Sequence, residues 1–413
     1  MDTSTATHKF LNSIHQVDAD AWDNHNSQAY PFLKHGFLAA LEDSQSVCAN
    51  SGWQPCHIVI EEKGELLAAL PLYLKGHSYG EYVFDWSWAD AYARNGLQYY
   101  PKLLTAIPFT PCQGPRLLGH QRFWPIMVCA IQQFAQERGI SGWHCLFTES
   151  EDQTALAAQS SLCKRQDTQF HWLNQHFANK CEKYRDFDDF TGTFRSPKRK
   201  ALKKERRQVA EQGLTVRWFK GSDITEALWD AFYDFYRATY AKRSGHGGYL
   251  QRDFFSKLVP ALGDQVLLNL AFLDGGVNSE PVAGALYFQD QDTLYGRYWG
   301  CSEAFQHLHF ECCYYQGIEY AIQQGLACFN AGAQGEHKLA RGFTPVITQS
   351  FHWLADDRFH QAIEDFVERE QTLTNQYQKQ CRDALPFKRE ATPSVPSITA
   401  ADLAEKSTTS LSS

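Results

Sequence analysis

A run of apolar residues long enough to cross a bilayer as a helix is missing from all 413 residues. Met1 to Phe10 is polar and has no apolar signal core. Membrane insertion and export are therefore not expected, and a cytoplasmic setting is. Excess positive charge is missing too. The formal net charge is -8, so a DNA partner is not expected and any basic patch has to be local. The twelve cysteines include no C-x-x-C and no pair at zinc-finger spacing. Most sit in apolar runs, as Cys328 does in Leu326-Ala327-Cys328-Phe329. That reads as small buried thiols in a reducing compartment. Also absent are the phosphate-binding G-x-x-x-x-G-K-S/T, G-x-S-x-G, H-E-x-x-H and a dinucleotide fingerprint. Their absence argues against NTPase, hydrolase, zincin and dehydrogenase classes.

Core material is plentiful: 43% of residues are hydrophobic and 14% aromatic, and the length suits two to three domains. The chain also repeats itself. When Ala69-Leu70 is laid on Ala285-Leu286, Tyr79-Gly80-Glu81-Tyr82 falls on Tyr295-Gly296-Arg297-Tyr298 and Tyr99 falls on Tyr315. Slightly out of step, Phe37 and Leu41 match Phe254 and Leu258, and Gln113-Gly114 resembles Gln334-Gly335. Phe170-His171-Trp172-Leu173 recurs verbatim as Phe351-His352-Trp353-Leu354. In each copy an amphipathic helix precedes an extended run and two apolar strands joined by a turn. The strands are Leu66 to Leu74 and Tyr79 to Trp86 in the first copy, Val282 to Phe288 and Leu294 to Trp299 in the second. A helix, a short strand such as Leu326 to Asn330 and the Phe-His-Trp-Leu strand then follow. The mixture predicts an α/β layer fold with mixed sheets, duplicated in tandem.

Between the copies lies Arg195-Ser196-Pro197-Lys198-Arg199-Lys200-Ala201-Leu202-Lys203-Lys204-Glu205-Arg206-Arg207. Ser196 suits an N-cap, Pro197 the first turn, and Gly213 the end of a helix. At about 100° per residue, Arg199, Lys200, Lys203, Lys204, Arg206 and Arg207 share one face, and Ala201, Leu202 and Val209 the other. The cationic face is either a solvated linker surface or an anion site for phosphates of a donor, an acceptor or RNA. Residues 358–380 read as a terminal helix. From Pro393 the chain is rich in Ser, Thr, Ala and Pro and reads as disordered.

Two polar-aromatic clusters are candidate sites. The first runs from Tyr79 to Tyr92. Its aromatics flank Glu81, Asp85 and Asp90, a pattern that can pocket an amine or simply form an aromatic core with helix-capping acids. The second combines Leu308-His309-Phe310-Glu311, Tyr314-Tyr315 and Gly332 to Gly342. Its last segment predicts one or two helical turns closed by Gly342, with His337 and Arg341 on one face. It is either a ligand site at a strand end or a salt-bridged surface turn. His307, His309 and Glu311 would share a face on a strand, a third, metal-binding reading, but the sequence around them looks helical and no fourth ligand is evident. Amine acylation would use these groups well. His or Glu takes the ammonium proton, donors hold the oxyanion, cations hold phosphates, and Tyr314 or Tyr315 protonates the leaving atom.

The blocks Pro71 to Lys75, Ser78 to Trp86, Tyr99 to Leu103, Tyr295 to Gly300, Leu308 to Glu311 and Gly332 to Gly342 together resemble a predicted N-acyltransferase family allied to the FemABX peptidyltransferases. The resemblance covers about residues 27 to 380. It implies two GNAT-like domains, at 8–180 and 214–357, with a basic-helix linker at 181–213, a C-terminal helix at 358–387 and a disordered tail at 388–413. It also implies transfer of an acyl or aminoacyl group from acyl-CoA or aminoacyl-tRNA to a small-molecule or peptide amine. Neither a tightly bound cofactor nor a metal is expected. The GNAT pyrophosphate loop is missing; Cys301-Ser302-Glu303-Ala304-Phe305 stands in its place, which favours aminoacyl-tRNA. On this reading Glu311, Glu336, His337 and Tyr315 are catalytic. Gln334, Gly335, Lys338, Arg341, Lys198, Arg199 and Lys200 bind the donor, while Asp85, Trp86, Asp90, Tyr92 and Tyr298 shape the acceptor side. A non-catalytic module for an aminoacylated or phosphorylated partner, and a metal-dependent hydrolase, remain as alternatives.

Overall fold

The computed structural model describes residues 6–176, 182–273, 279–333 and 335–388. The first copy contains β1 (Thr7–Leu11), α1 (Ala19–Asp23), α2 (His35–Asp43), β2 (Trp53–Pro55), β3 (His57–Glu62), β4 (Glu65–Leu70), β5 (Tyr73–Lys75) and α3 (Trp86–Arg94). It continues with β6 (Lys102–Thr105), β7 (Leu118–Gly119), α4 (Trp124–Glu137), β8 (Gly142–Cys145), α5 (Ser150–Ala157) and β9 (Cys163–Leu173). Two helices, α6 (Phe187–Gly192) and α7 (Ser196–Glu211), lead to the second copy. There β10 (Leu214–Lys220), α8 (Glu226–Ser244), α9 (Arg252–Leu262), β11 (Val266–Leu273), β12 (Pro281–Gln289) and β13 (Thr293–Cys301) come first. Next, α10 (Leu308–Phe310) runs through a π-helical turn, Glu311–Tyr315, into α11 (Gln316–Gln323). Then come β14 (Cys328–Asn330), a 3-10 turn at Glu336–Arg341, β15 (Thr344–Leu354) and α12 (Asp357–Asp383). No helix among the described residues is long and apolar enough to cross a membrane.

Eleven strands form one sheet in the order β10-β11-β12-β13-β14-β9-β15-β8-β6-β5-β2. Read outward from the antiparallel central pair β9 and β15, its two halves match. β15 is antiparallel to β8, β8 parallel to β6, β6 antiparallel to β5, and β5 antiparallel to β2. Likewise β9 is antiparallel to β14, β14 parallel to β13, and β13, β12 and β11 are successively antiparallel. The fold is thus a duplicated mixed α/β unit. The two Phe-His-Trp-Leu segments are equivalent strands, and each lies in the other copy's half of the sheet.

The copies differ where prolines interrupt them. β11 and β12 are long single strands, whereas their first-copy counterparts are split into β2 plus β3 and β4 plus β5. Pro55 and Pro71 stand at the two breaks, where a residue without an N–H cannot donate to a ladder. There the chain turns a corner, with Cys56 N–H donating to Leu72 O at 2.9 Å. β3 and β4 then join β1 and β7 in a separate four-stranded sheet. The expected single strand Leu66 to Leu74 is therefore two, in two sheets. The expected strand Tyr79 to Trp86 does not form. Gly80 and Tyr82 take positive φ (81° and 62°), which no extended strand tolerates. The counterpart of β13 is β6, and residues 76–101 are an insertion carrying α3.

The matched residues Phe37 and Phe254 pack on each other, ring centroids 5.7 Å apart, so α2 and α9 place both copies in one core. The linker helix α7 forms where expected and ends before Gly213, at φ 78°, but its N-cap is Arg195; Ser196, expected there, is the first helical residue. Leu202 and Val209 dock it. Arg206, expected on the solvent face, instead turns inward to Glu311 and Glu319, both at 2.8 Å. The expected tail from residue 389 onward lies outside the described residues.

Candidate active site

β13 and β14 pair in parallel over three residues only, Thr293 with Cys328 to Tyr295 with Asn330, and then part. Across β13, Leu286 of β12 faces Tyr298 while Tyr287 faces Gly296. Arg297 is thus an extra, bulged residue at the point of parting, a position where bulges commonly re-aim side chains. The chain leaves β14 through Gly332 and Gly335, both at positive φ (85° and 118°), into the 3-10 turn. A cleft of about 560 Å³ opens in this wedge, roofed by α8 and the π-helical turn, with Tyr82 of the first copy at one side. The equivalent wedge of the first copy is sewn shut. Beyond β6 and β8, Gly114 bridges Thr148 in parallel. Arg116 donates to the carbonyls of Cys112 (2.7 Å), Gly114 (3.1 Å), Pro115 (2.8 Å) and Leu146 (2.8 Å).

The open cleft contains no carboxylate among its lining residues, although the chain as a whole is acidic. Two arginines line it. Arg243 stands at the exposed end of α8, beside Ser244 and the left-handed cap Gly245. Arg297 donates from Nη2 to Phe109 O. Its Nε is buried with no partner, and it forms no ion pair among the described residues. A guanidinium is always charged, so the cleft carries fixed positive charge with nothing acidic to balance it. His337 Nε2 lies 2.8 Å from the Tyr314 hydroxyl. Desolvation, reinforced by Arg341, Lys338 and Arg243, lowers the His337 pKa. Burial, with His337, Arg243, Arg341 and Lys338 adding, holds His309 at about 3. Both imidazoles are neutral near pH 7; His337 is the one that can serve as a proton acceptor, because burial makes His309 a very weak base. Burial raises the Tyr314 hydroxyl above its ordinary range, so it stays a neutral phenol.

The structure brings together some of the expected residues and separates others. His337, Gly335 and Tyr298 line the cleft, as does Tyr314. Glu311, expected as a base, is buried outside it and gripped by Arg206 and by Gln316 Nε2 at 2.8 Å. Tyr315 points to Glu205, and Arg341 binds that same carboxylate at 2.8 Å while stacking on Phe310 at 3.4 Å. Tyr315 thus fastens α7 to the π-helical turn, and Arg341 fastens it to the 3-10 turn. Glu336 is exposed and accepts from Tyr377 of α12 at 2.8 Å. Lys338 sits behind the turn, donating to Gly332 O at 2.6 Å, and burial brings its ammonium down to about 7. Gln334 lies outside the described residues. Lys198, Arg199 and Lys200 lie on α7, away from the residues that line the cleft. His307 caps a helical segment in the left-handed conformation, so the alternation with His309 and Glu311 is not realised.

The expected acceptor cluster already holds an ammonium of its own. Lys102 Nζ, fully buried, donates to Glu81 at 2.7 Å and to Asp85, and Tyr99 OH donates to Asp85 at 2.6 Å. Burial alone would raise the Asp85 carboxyl, but Lys102 overrides it and holds it at about 2. Trp86 is exposed against Tyr79, Asp90 is exposed, and Tyr92 is buried against Phe359 at 4.0 Å. None of these four lines the cleft. Arg243, Arg297, Tyr82 and Tyr240 do, and they were not singled out as site residues. The run Lys242-Arg243-Ser244-Gly245-His246-Gly247-Gly248, basic and glycine-rich, was the available signal for the first.

The sequence pattern of a family described as peptidoglycan biosynthesis and recognition, FemAB-like, matches residues 13–389. The chain belongs to the FemAB-like family. Among solved structures, its fold is similar to the C-terminal domain of a putative lysylphosphatidylglycerol synthetase from Agrobacterium fabrum. That match has a TM-score of 0.51 and 12% identity over 86% of this chain and 96% of that one. FemX matches with a TM-score of 0.47 and 11% identity over 78% of this chain and 93% of that chain. A tandem GNAT protein from the clavulanic acid biosynthesis pathway matches with a TM-score of 0.44 and 10% identity, over 85% and 99%. No curated protein matches the sequence. In this FemAB-like chain the tandem α/β units are those of the resemblance noted from the sequence, and the open wedge lies in the second.

Proposed function

We propose that this protein is a transferase that moves an acyl or aminoacyl group from an activated donor to an amine, in the wedge between β13 and β14. The observation that carries the reading is the pairing of a neutral His337–Tyr314 couple with the unbalanced cations Arg243 and Arg297 in one carboxylate-free cleft. A bound ammonium first sheds one proton to water. Tyr314 then takes a proton from the attacking amine as its own hydroxyl proton passes to His337 Nε2. Nitrogen bonds to the carbonyl carbon, the carbon–oxygen or carbon–sulfur bond breaks, and the relay runs backward to protonate the leaving atom. Arg297 and Arg243 hold an anionic group of one substrate.

The donor we favour is aminoacyl-tRNA over acyl-CoA, with no tightly bound cofactor. Support comes from the family, from the missing pyrophosphate loop, and from Lys198, Arg199, Lys200 and Lys204 on α7, which have no partner among the described residues. The reduced thiols and either donor suit a cytoplasmic setting. Thermal unfolding with charged tRNA, uncharged tRNA and acyl-CoA esters tests this, because a ligand of the native state raises the midpoint by mass action. A shift with charged tRNA alone, followed by label transfer to an amine, is the expected result. A shift with a CoA ester alone makes acyl-CoA the donor. Binding without transfer to any amine makes the chain a non-catalytic binding module.

A further inference from the structure

A second concavity, sharing no residue with the cleft, lies between α3 and α12 and has a volume of about 480 Å³. Its walls are Trp88 and Ala91 of α3 and Phe359, Ala362, Ile363 and Phe366 of α12. On α12 the wall residues recur at the spacing of one helical face, and Leu373 continues that face. Arg358 and Arg369 flank the groove, and no acid lines it. Glu364 and Glu368 fall on the other side of α12 by the same spacing, while Asp365 lies one turn before Arg369 at the edge of the groove. Arg358 is paired with Asp356 at 2.7 Å, whereas Arg369 has no partner among the described residues.

A further observation points to a ligand. Among the described residues, the exposed large apolar side chains all lie on the two segments that flank this groove. They are Tyr79, Phe84, Trp86 and Leu97 on the α3 side, and Phe366 and Leu373 on α12. Apolar surface gathered on one side of a protein marks an interaction site. Arg165 ties the two segments together, donating to Phe84 O at 2.8 Å and pairing with Glu370 at 2.7 Å.

We infer that the α3–α12 groove binds one chain of an anionic amphiphile, a fatty acid or a close analogue, with its acidic head at Arg369. The hydrocarbon covers Phe359, Ile363 and Phe366, and each methylene so buried adds to the affinity. The acidic head supplies the countercharge that Arg369 lacks.

Displacement of a fluorescent fatty acid by oleate, below its aggregation concentration and with the full chain, reads this directly. Saturable binding of one oleate per chain is expected. Arg369→Glu weakens it by about fivefold or more. Ala362→Trp fills the groove and abolishes it. Both sites are exposed, so thermal midpoints stay within a few degrees of the parent chain. Oleyl alcohol binds more weakly than oleate. Absence of saturable binding overturns the proposal, as does binding unchanged in both variants. Capture on phosphatidylglycerol vesicles without binding of free oleate also overturns it, and makes this side a bilayer-contact surface instead.

Discussion

His337 and Glu336 are neighbours in sequence, and only one of them faces the cleft. The 3-10 turn sends adjacent side chains to different sides, so His337 meets Tyr314 while Glu336 meets Tyr377 of α12. Loss of a positioned acid or base costs about 10²–10⁴ in rate. His337→Ala and Tyr314→Phe are each expected to lower kcat within that range in a transfer assay, while Glu336→Ala stays within a few-fold of the parent. Equal losses in all three would remove the assignment. The pH profile adds a second check. The direction of the His337 shift is downward, by desolvation. The acid limb of kcat should therefore fall below about 6.5, the ordinary histidine value, because the neutral ring survives to lower pH. Tyr314 and Tyr315 make the same point about legibility. Both were candidate proton donors, and consecutive helical residues point about 100° apart. Only the packed helix shows that one enters the cleft and the other binds α7.

At the scale of elements, α7 is where expectation and structure part most clearly. Counting around the helix placed Arg206 with five other cations toward water. The wheel is right about geometry, but periodicity cannot register that Glu311 and Glu319 wait on the neighbouring helix. Glu311 is nearly buried (6% side-chain exposure), and Arg206 is its ionic partner. Arg206→Met is therefore expected to destabilise the fold by about 2 kcal/mol, since it leaves a buried carboxylate unpaired. The double variant Arg206→Met/Glu311→Met should recover much of that loss. Urea unfolding of the four chains measures both effects, and strictly additive losses would show that the pair is not coupled. The strands tell a related story. Pro55 and Pro71 are visible in the sequence, and they do mark breaks. That the broken halves enter two different sheets depends on partners far away in the chain.

Across the whole molecule, the exchange of β9 and β15 binds the copies into one unit. Each copy's last strand completes the other's half of the sheet, and α2 packs on α9. Fragments 1–195 and 196–413 are expected to be unfolded or aggregated alone and to yield soluble folded complex when co-expressed. Circular dichroism of either fragment alone showing native-like cooperative unfolding would contradict this. Acid stability follows from buried ionisable groups in both copies. His144, His171 and His309 are held at about 3, chiefly by burial. The unfolded chain protonates them below about 6.5, so they favour unfolding as pH falls toward 3. Glu149 at about 8, Glu81 at about 7 and Asp152 at about 6, all raised first by burial, act oppositely until carboxylates protonate in the unfolded chain near pH 4. Below that the histidines, Asp85 at about 2 and other carboxyls held low, such as Glu42, continue to act, and all favour unfolding. Thermal midpoints should change modestly from pH 6.5 to about 4.5 and drop steeply below pH 4.

What the amino-acid order determined by itself is local or repetitive. It includes the α/β mixture, the duplication signalled by Phe-His-Trp-Leu, the basic helix bounded by Pro197 in its first turn and Gly213 after its end, and the turn closed by Gly342. Backbone preferences and side-chain periodicity act over a few residues, so they can be read along the chain. Tertiary structure alone decided which charges are already matched. Asp85 looked free until Lys102 arrived from the far side of the insertion, and Arg297 looked ordinary until no acid arrived at all. It also decided which of two equivalent wedges stays open, because the carbonyls that Arg116 stitches together converge only in the folded chain.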